Sequence, residues 1–218
     1  MLEALKALNP NIPMYSVLSE EFKMFGRVIT TLDPKEIIEV AKTIPNPESG
    51  SSYEPKTAKF ENLAFAREME AECYGCLPSQ VGYCWGHNTL LNGAEWHFGN
   101  EVNVAVTPLV LLVAHRGEIV NGKIDSSAFR GFYLPAGTVC EVYASTLHFC
   151  PCEVSKDGFG CVVGLPEGTN IPLEQKTNDP LLFRKSKWLI AHEKNEGLLA
   201  KGVVSGITGE NLEVHYPA

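Results

Sequence analysis

No apolar run in this chain of 218 residues is longer than Leu109 to Ala114. A helix that crosses a bilayer needs about 20 consecutive apolar residues, so the sequence predicts no membrane span. The opening Met1-Leu-Glu-Ala-Leu-Lys lacks the basic region and apolar core of an export signal, and the expected compartment is the cytoplasm. Basic residues are in deficit. Eighteen Lys and Arg against 26 Asp and Glu give a net charge of −8, which argues against nucleic acid or an anionic membrane as partner. There is no internal repeat, no low-complexity segment, no Gly-rich phosphate loop, no nucleophile elbow and no dinucleotide fingerprint. Disulfides are not expected either: the 7 cysteines are odd in number and irregularly spaced, which reads as reduced thiols.

What is present is ordinary for a globular domain, at 44% hydrophobic and 20% charged residues. A chain this long buries roughly 70% of the surface its unfolded form exposes, so neither disulfide nor metal is needed merely to fold. The first 75 residues read as helix and loop. Leu2 to Leu8 is apolar-periodic, Ser19 begins a turn carrying Phe22 and Phe25, and Asp33-Pro34 starts a helix through Ile37, Ile38 and Val40. Asn46 to Pro55 reads as a polar loop, and Glu61 to about Cys73 as another helix. From Val81 the pattern changes to short runs rich in Val, Leu, Tyr and Phe between Gly, Pro and Asn: 81–85, 101–106, 109–114, 131–134, 138–143, 160–165, 187–191 and 212–216. Many short, turn-punctuated strands predict a sandwich or barrel. Residues 1–75 are therefore expected to be a helical segment packed on a β-barrel of residues 76–218, in one structural unit.

The most informative stretch is Ala94-Glu-Trp-His-Phe-Gly-Asn-Glu101. On one strand, Glu95, His97 and Glu101 share a face, with Gly99 leaving room between them and Trp96 and Phe98 opposite. Buried carboxylates need a partner or a cation, and imidazole with carboxylate suits Zn, Mn or Fe better than a soft thiolophilic ion. The same residues would serve as surface polars if that face were wet. A second cluster runs from Gly131 through the turn Pro135-Ala-Gly137 to Cys140, Glu141 and His148.

Together these segments resemble the paired motifs of the cupin superfamily, small double-stranded β-helix (jelly-roll) barrels that commonly hold a metal. Glu95-x-His97-x-x-x-Glu101 is similar to the first motif, with glutamate in place of its first histidine. Pro135 and Gly137 fit the second motif, where Cys140 stands at its usual histidine. The resemblance implies a mainly β, cupin-like barrel with a metal held by Glu95, His97, Glu101 and His148, the last substituting from a neighbouring part of the barrel. A looser similarity is to ureidoglycolate lyase, in Ala94 to His97, Tyr143 through His148 to Pro151, and Phe25 to Ile29, within residues 15 to 165.

The expected function is that of a metal-dependent cupin enzyme on a small polyhydroxylated or carbonyl substrate, a sugar isomerase or epimerase working through an enediol. Mn, Fe, Zn and Ni are the candidate ions, with Mn or Fe favoured over a tetrahedral structural zinc. Glu141 and Glu101 are the candidate acid–base groups, and His87, Arg130 and Lys187 the candidate substrate contacts. The alternatives are a ureidoglycolate-type lyase that cleaves a carbinolamine carbon–nitrogen bond, or a non-catalytic barrel that binds a metabolite. Cys73, Cys76, Cys150 and Cys152 offer a weaker zinc site. The expected partner is a small molecule, and an exposed barrel edge is compatible with a homodimer.

Overall fold

Short strands whose side chains alternate between two walls and an interior organise the chain. A computed structural model gives the fold and describes residues 1–175 and 177–217. Early helices are α1 Leu2–Leu8, α2 Lys35–Ala41 and α3 Ala64–Tyr74, with α4 Glu196–Ala200 late. Between the early helices lie β1 Met14–Ser16, β2 Gly26–Val28 and β3 Ser51–Glu54. The middle of the chain holds β4 Ser79–Gly86, β5 Gly93–His97, β6 Glu101–Ala105, β7 Leu109–His115, β8 Ile124–Asp125, β9 Arg130–Leu134 and β10 Val139–Val142. Then come β11 Thr146–Leu147, β12 Cys152–Glu153, β13 Phe159–Pro166, β14 Leu182–Arg184, β15 Lys187–His192 and β16 Val204–Thr208.

One wall has the order β2-β10-β6-β13-β4-β3, and the other joins β1, β9 and β7, with β11 and β12 both paired to β7. A Glu95–His148 bridge adds β5 beside β11. Counting β4, β5, β6, β7, β9, β10, β11 with β12, and β13 as eight barrel strands, one wall takes the first, eighth, third and sixth. The other takes the second, seventh, fourth and fifth. Consecutive strands thus change wall at nearly every step, which is the winding of a jelly roll. The protein is mainly β, with the cupin-like barrel expected from its sequence.

Three apolar layers hold the barrel. Inside, Phe22, Phe25, Phe132 and Phe159 pack with Leu109, Leu111 and Val163. Outside the first wall, Ile37, Phe65 and Met69 of the helical layer cover Val81, Val102, Val104 and Val162. Outside the second, Leu5, Trp96, Ile190 and Ile207 cover Val110, Leu112 and Ala114. Both faces of β7 are therefore buried, which explains why Leu109 to Ala114 is apolar without alternation. Trp96 and Ile190 belong to a third sheet, β14-β15-β16-β8, to which β5 also pairs through β15.

The N-terminal segment does more than pack on the barrel, because β1, β2 and β3 hydrogen-bond to β9, β10 and β4. Ser51–Glu54, expected as loop, is an edge strand; its polar side chains conceal it because they are exposed. Residues 212–216, expected as strand, make only an isolated bridge from Glu213 to Leu90. Among the described residues no helix is long and apolar enough to cross a membrane. Phe132 meets Tyr15, Phe22 and Phe25 with ring centroids 5.7, 5.1 and 5.6 Å away and is fully buried. Phe132→Ala is expected to cost about 3–5 kcal/mol, read as a lower urea midpoint at unchanged slope.

Candidate metal centre

The metal-type cluster is built from two strands and a loop: Glu95, His97 and Glu101, expected on one strand, are divided between β5 and β6. β5 ends at His97 and β6 begins at Glu101 in the facing wall, with Phe98 83% exposed in the turn between them. Gly99 serves that turn. A Cβ there would meet Pro166 Cγ at 2.6 Å, so glycine gives room for the proline ring. Glu95 and His97 face inward from β5, and the Glu95–His148 bridge brings in the residue that follows β11.

One donor atom from each of Glu95, His97, Glu101 and His148 lies within 4.8 Å of the others. Glu101 Oε2 is 3.3 Å from both His97 Nε2 and His148 Nε2, and His97 Nε2 is 3.8 Å from Glu95 Oε1. Neither Nε2 has a hydrogen-bond partner despite full burial, so these contacts are off the hydrogen-bonding axis. The opposite ring nitrogens settle the tautomers. His97 Nδ1 lies 3.2 Å from the Ser186 carbonyl and His148 Nδ1 3.1 Å from the Thr146 carbonyl. A carbonyl only accepts, so each Nδ1 carries the proton and, in the neutral ring, each Nε2 turns a lone pair inward. Ligands about 2.1 Å from one ion stand roughly 3–4 Å apart, as the three contacts among His97, His148, Glu101 and Glu95 do. Two imidazoles and two carboxylates fit a divalent Mn, Fe, Ni or Zn ion.

Burial alone would raise the Glu101 carboxyl, but the His148 and His97 rings beside it outweigh burial and hold it far below the usual carboxylate range. Burial alone would lower His148; the Glu101 carboxylate outweighs it and pushes that imidazole up to about 9. Glu101 Oε1 accepts from Asn103 Nδ2 at 2.9 Å, so both carboxylate oxygens are engaged.

The cluster opens into a cavity of about 270 Å³, whose wall includes Glu95, Glu101, Asn103, His148, Lys187 and Lys201. That is just under the ~300 Å³ at which drug-sized pockets begin, so it suits a small metabolite. Lys187 is brought into the cavity wall, its ammonium paired with Glu95 Oε2. Glu141 is not. Strand alternation turns Cys140 into the barrel interior and Glu141 to the outer face, where Arg27 Nε (2.5 Å) and Asn100 Nδ2 (2.9 Å) donate to it. His87 Nδ1 pairs with Glu153 at 2.8 Å, and the Arg130 guanidinium lies 5.2 Å over the Phe25 ring; neither lines the cavity. Cys140 points into the barrel interior but is not among the grouped ligands, and burial pushes its thiol up. All cysteines are free, and among the described residues Cys73, Cys76, Cys150 and Cys152 do not gather into a metal-type group.

Sequence reasoning missed Ser51, Ser52 and Tyr53 of β3, Cys84, Asn103 and Lys201 in the cavity wall, and gave Cys150 there only as part of a weaker zinc site. Asn103 was findable, because it continues the alternation from Glu101. The others arrive from distant segments and carry no local signal.

Residues 14–212 match the family described as a domain of unknown function, DUF4867. The chain belongs to this family. No curated protein matches it. Among solved structures it is similar to Bacillus subtilis oxalate decarboxylase, in a study of that enzyme's Mn(II) centres, at 10% identity and TM-score 0.33 over 58% of this chain and 28% of that one. A variant of the same enzyme gives 9% identity and TM-score 0.34 over the same shares, 58% and 28%. An oxalate decarboxylase structure concerned with proton-coupled electron transfer gives 11%, TM-score 0.32, and 44% and 24% of the two chains. The DUF4867 chain thus spans under a third of the length of each.

The raised His148 value sets a pH dependence for this DUF4867 protein. Below about 9 the metal-free ring holds a proton that an incoming ion must displace, so affinity rises with pH and levels off above about 9. Calorimetric titration with Zn²⁺ or Mn²⁺ in buffers of different ionisation heat is expected to show proton release at pH 7 that vanishes near pH 10.

Proposed function

We propose that this DUF4867 protein is a metal-dependent cupin enzyme on a small polyhydroxylated or carbonyl compound, acting as a sugar isomerase or epimerase. The observation that carries the reading is the pair of buried, unpartnered Nε2 atoms converging on Glu101 at the wall of a small cavity. His97, His148, Glu101 and Glu95 would hold the ion, which supplies Lewis acidity toward a carbonyl and its neighbouring hydroxyl. The chain's own groups then handle the proton. Glu141 faces away from the cavity, and Glu101 is engaged by two histidines and Asn103. Glu95 remains: its Oε1, towards His97, would face the ion, and its Oε2, against Lys187, is the oxygen left for proton transfer. In this reading Glu95 takes a proton from the carbon beside the carbonyl and returns it to the former carbonyl carbon of the enediol, while a proton passes from the neighbouring hydroxyl to the carbonyl oxygen.

A ureidoglycolate-type lyase is the second reading, favoured by one observation: Lys187 places a cation in the cavity where a substrate carboxylate would sit. There a base takes the hydroxyl proton of a carbinolamine, the carbon–nitrogen bond breaks, and the amide nitrogen leaves with its electron pair and a proton.

Protein purified without a metal-affinity tag should contain about one equivalent of Mn, Fe, Ni or Zn by elemental analysis, lost in Glu95→Ala/His97→Ala. The loaded protein is then incubated in D₂O with aldoses, ketoses and ureidoglycolate and followed by NMR. Deuterium entering beside the carbonyl of a sugar supports the isomerase, and urea release supports the lyase. Metal without either reaction leaves a metabolite-binding barrel, and absence of metal contradicts the metal-dependent isomerase and leaves a metal-free lyase or a binding role.

A further inference from the structure

The formally charged side chains on the cavity wall are Glu95, Glu101, Lys187 and Lys201, and their charges cancel. As ligands to an ion through Nε2 lone pairs, the His97 and His148 rings add none. Lys201 is exposed to water, so among the described residues a divalent ion at the cluster is offset by Glu95 and Glu101 and leaves the buried Lys187 without a counter-charge. Charge taken out of water needs a counter-charge close by, so the loaded cavity is complete only with an anion in it. A neutral sugar leaves the surplus standing.

The two lysines come from different parts of the chain and sit at different depths. Lys187 is opposite His97 in the β5–β15 register, and its side chain is only 12% exposed. It stands beside the ligands, neutralised by Glu95 until an ion draws on that carboxylate. Lys201, just after α4, is exposed at the rim, where Ser51 and Ser52 add hydroxyl donors. With the ion bound, Lys187 and Lys201 give the cavity a positive potential in a protein whose net charge is −8.

We infer that the cavity selects substrates bearing an oxyanion group, a phosphate or a carboxylate, received by Lys187 and Lys201 while the hydroxyl or carbonyl end faces Glu101 and His148. This rests on the metal-dependent reading above and narrows its substrate class. Glucose 6-phosphate and glucuronate present the two sources of that chemistry.

The test uses full-length protein loaded with Zn²⁺ and desalted, its metal content measured first. Calorimetric titrations follow with inorganic phosphate, glucose 6-phosphate, glucuronate and glucose. The phosphate or the uronate should bind at least about tenfold more tightly than glucose, and the tighter of the two names the group. Lys187→Met should weaken anion binding by about tenfold or more, and the rim variant Lys201→Met by roughly threefold to tenfold. Both should keep their zinc, and Lys59→Met, on an exposed surface away from the cavity, should change nothing. Removing the metal should weaken anion binding in the parent as well. If glucose binds as tightly as its phosphate and the uronate, or if Lys201→Met and Lys187→Met both retain parental anion affinity with zinc bound, the inference is overturned while the metal reading stands. If the parent takes up no metal, the metal reading itself fails.

Discussion

The Glu101 carboxylate is the group on which the site depends. It is almost fully buried, and two imidazoles approach the same oxygen at 3.3 Å. A carboxylate in such a place is stable only with positive charge beside it. Without an ion, a protonated His148 supplies that charge, as its raised titration range indicates. With an ion, His148 gives up its Nε2 proton, and both imidazoles turn an Nε2 lone pair to the ion while Nδ1 stays bonded to its carbonyl. The pocket is thus built to hold a cation of one kind or another, and its polarity is tied to the fold. His97, Glu101 and His148 come from the second barrel strand, the third, and the loop after β11, and the jelly-roll winding sets the second and seventh strands side by side across from the third.

The outer layers make this polar interior affordable. α2 and α3 cover one wall, and α1 with the third sheet covers the other. The barrel strands then bury apolar side chains outward as well as inward, as β7 does along its length. Stability comes largely from these outer contacts and from the Phe132 cluster, leaving one part of the interior free for groups chosen for chemistry.

Much of this was legible in the sequence because the residue types are conspicuous. Glu95, His97 and Glu101 in an otherwise apolar and aromatic stretch are hard to explain as core, and Pro135-Ala-Gly137 marks a turn unambiguously. His148 was reached only through the cupin resemblance, since its partners lie about 50 residues away in sequence. Errors came from phase. Reading residues 95–101 as one strand missed the turn at Gly99, and choosing Glu141 ignored that Cys140, its neighbour, takes the inward position. β3 was illegible because its exposed Ser-Ser-Tyr-Glu has no apolar alternation; pairing with β4 makes it a strand. Lys201 carries no local mark at all.

The central claim, that these four residues form a metal centre, is tested most directly by anomalous diffraction from crystals of the protein loaded with Mn²⁺ or Zn²⁺. The account predicts one strong peak at about 2.0–2.2 Å from His97 Nε2, His148 Nε2 and a Glu101 oxygen, with Glu95 alongside. A peak on the cysteines, or none while the four side chains keep their places, would contradict it.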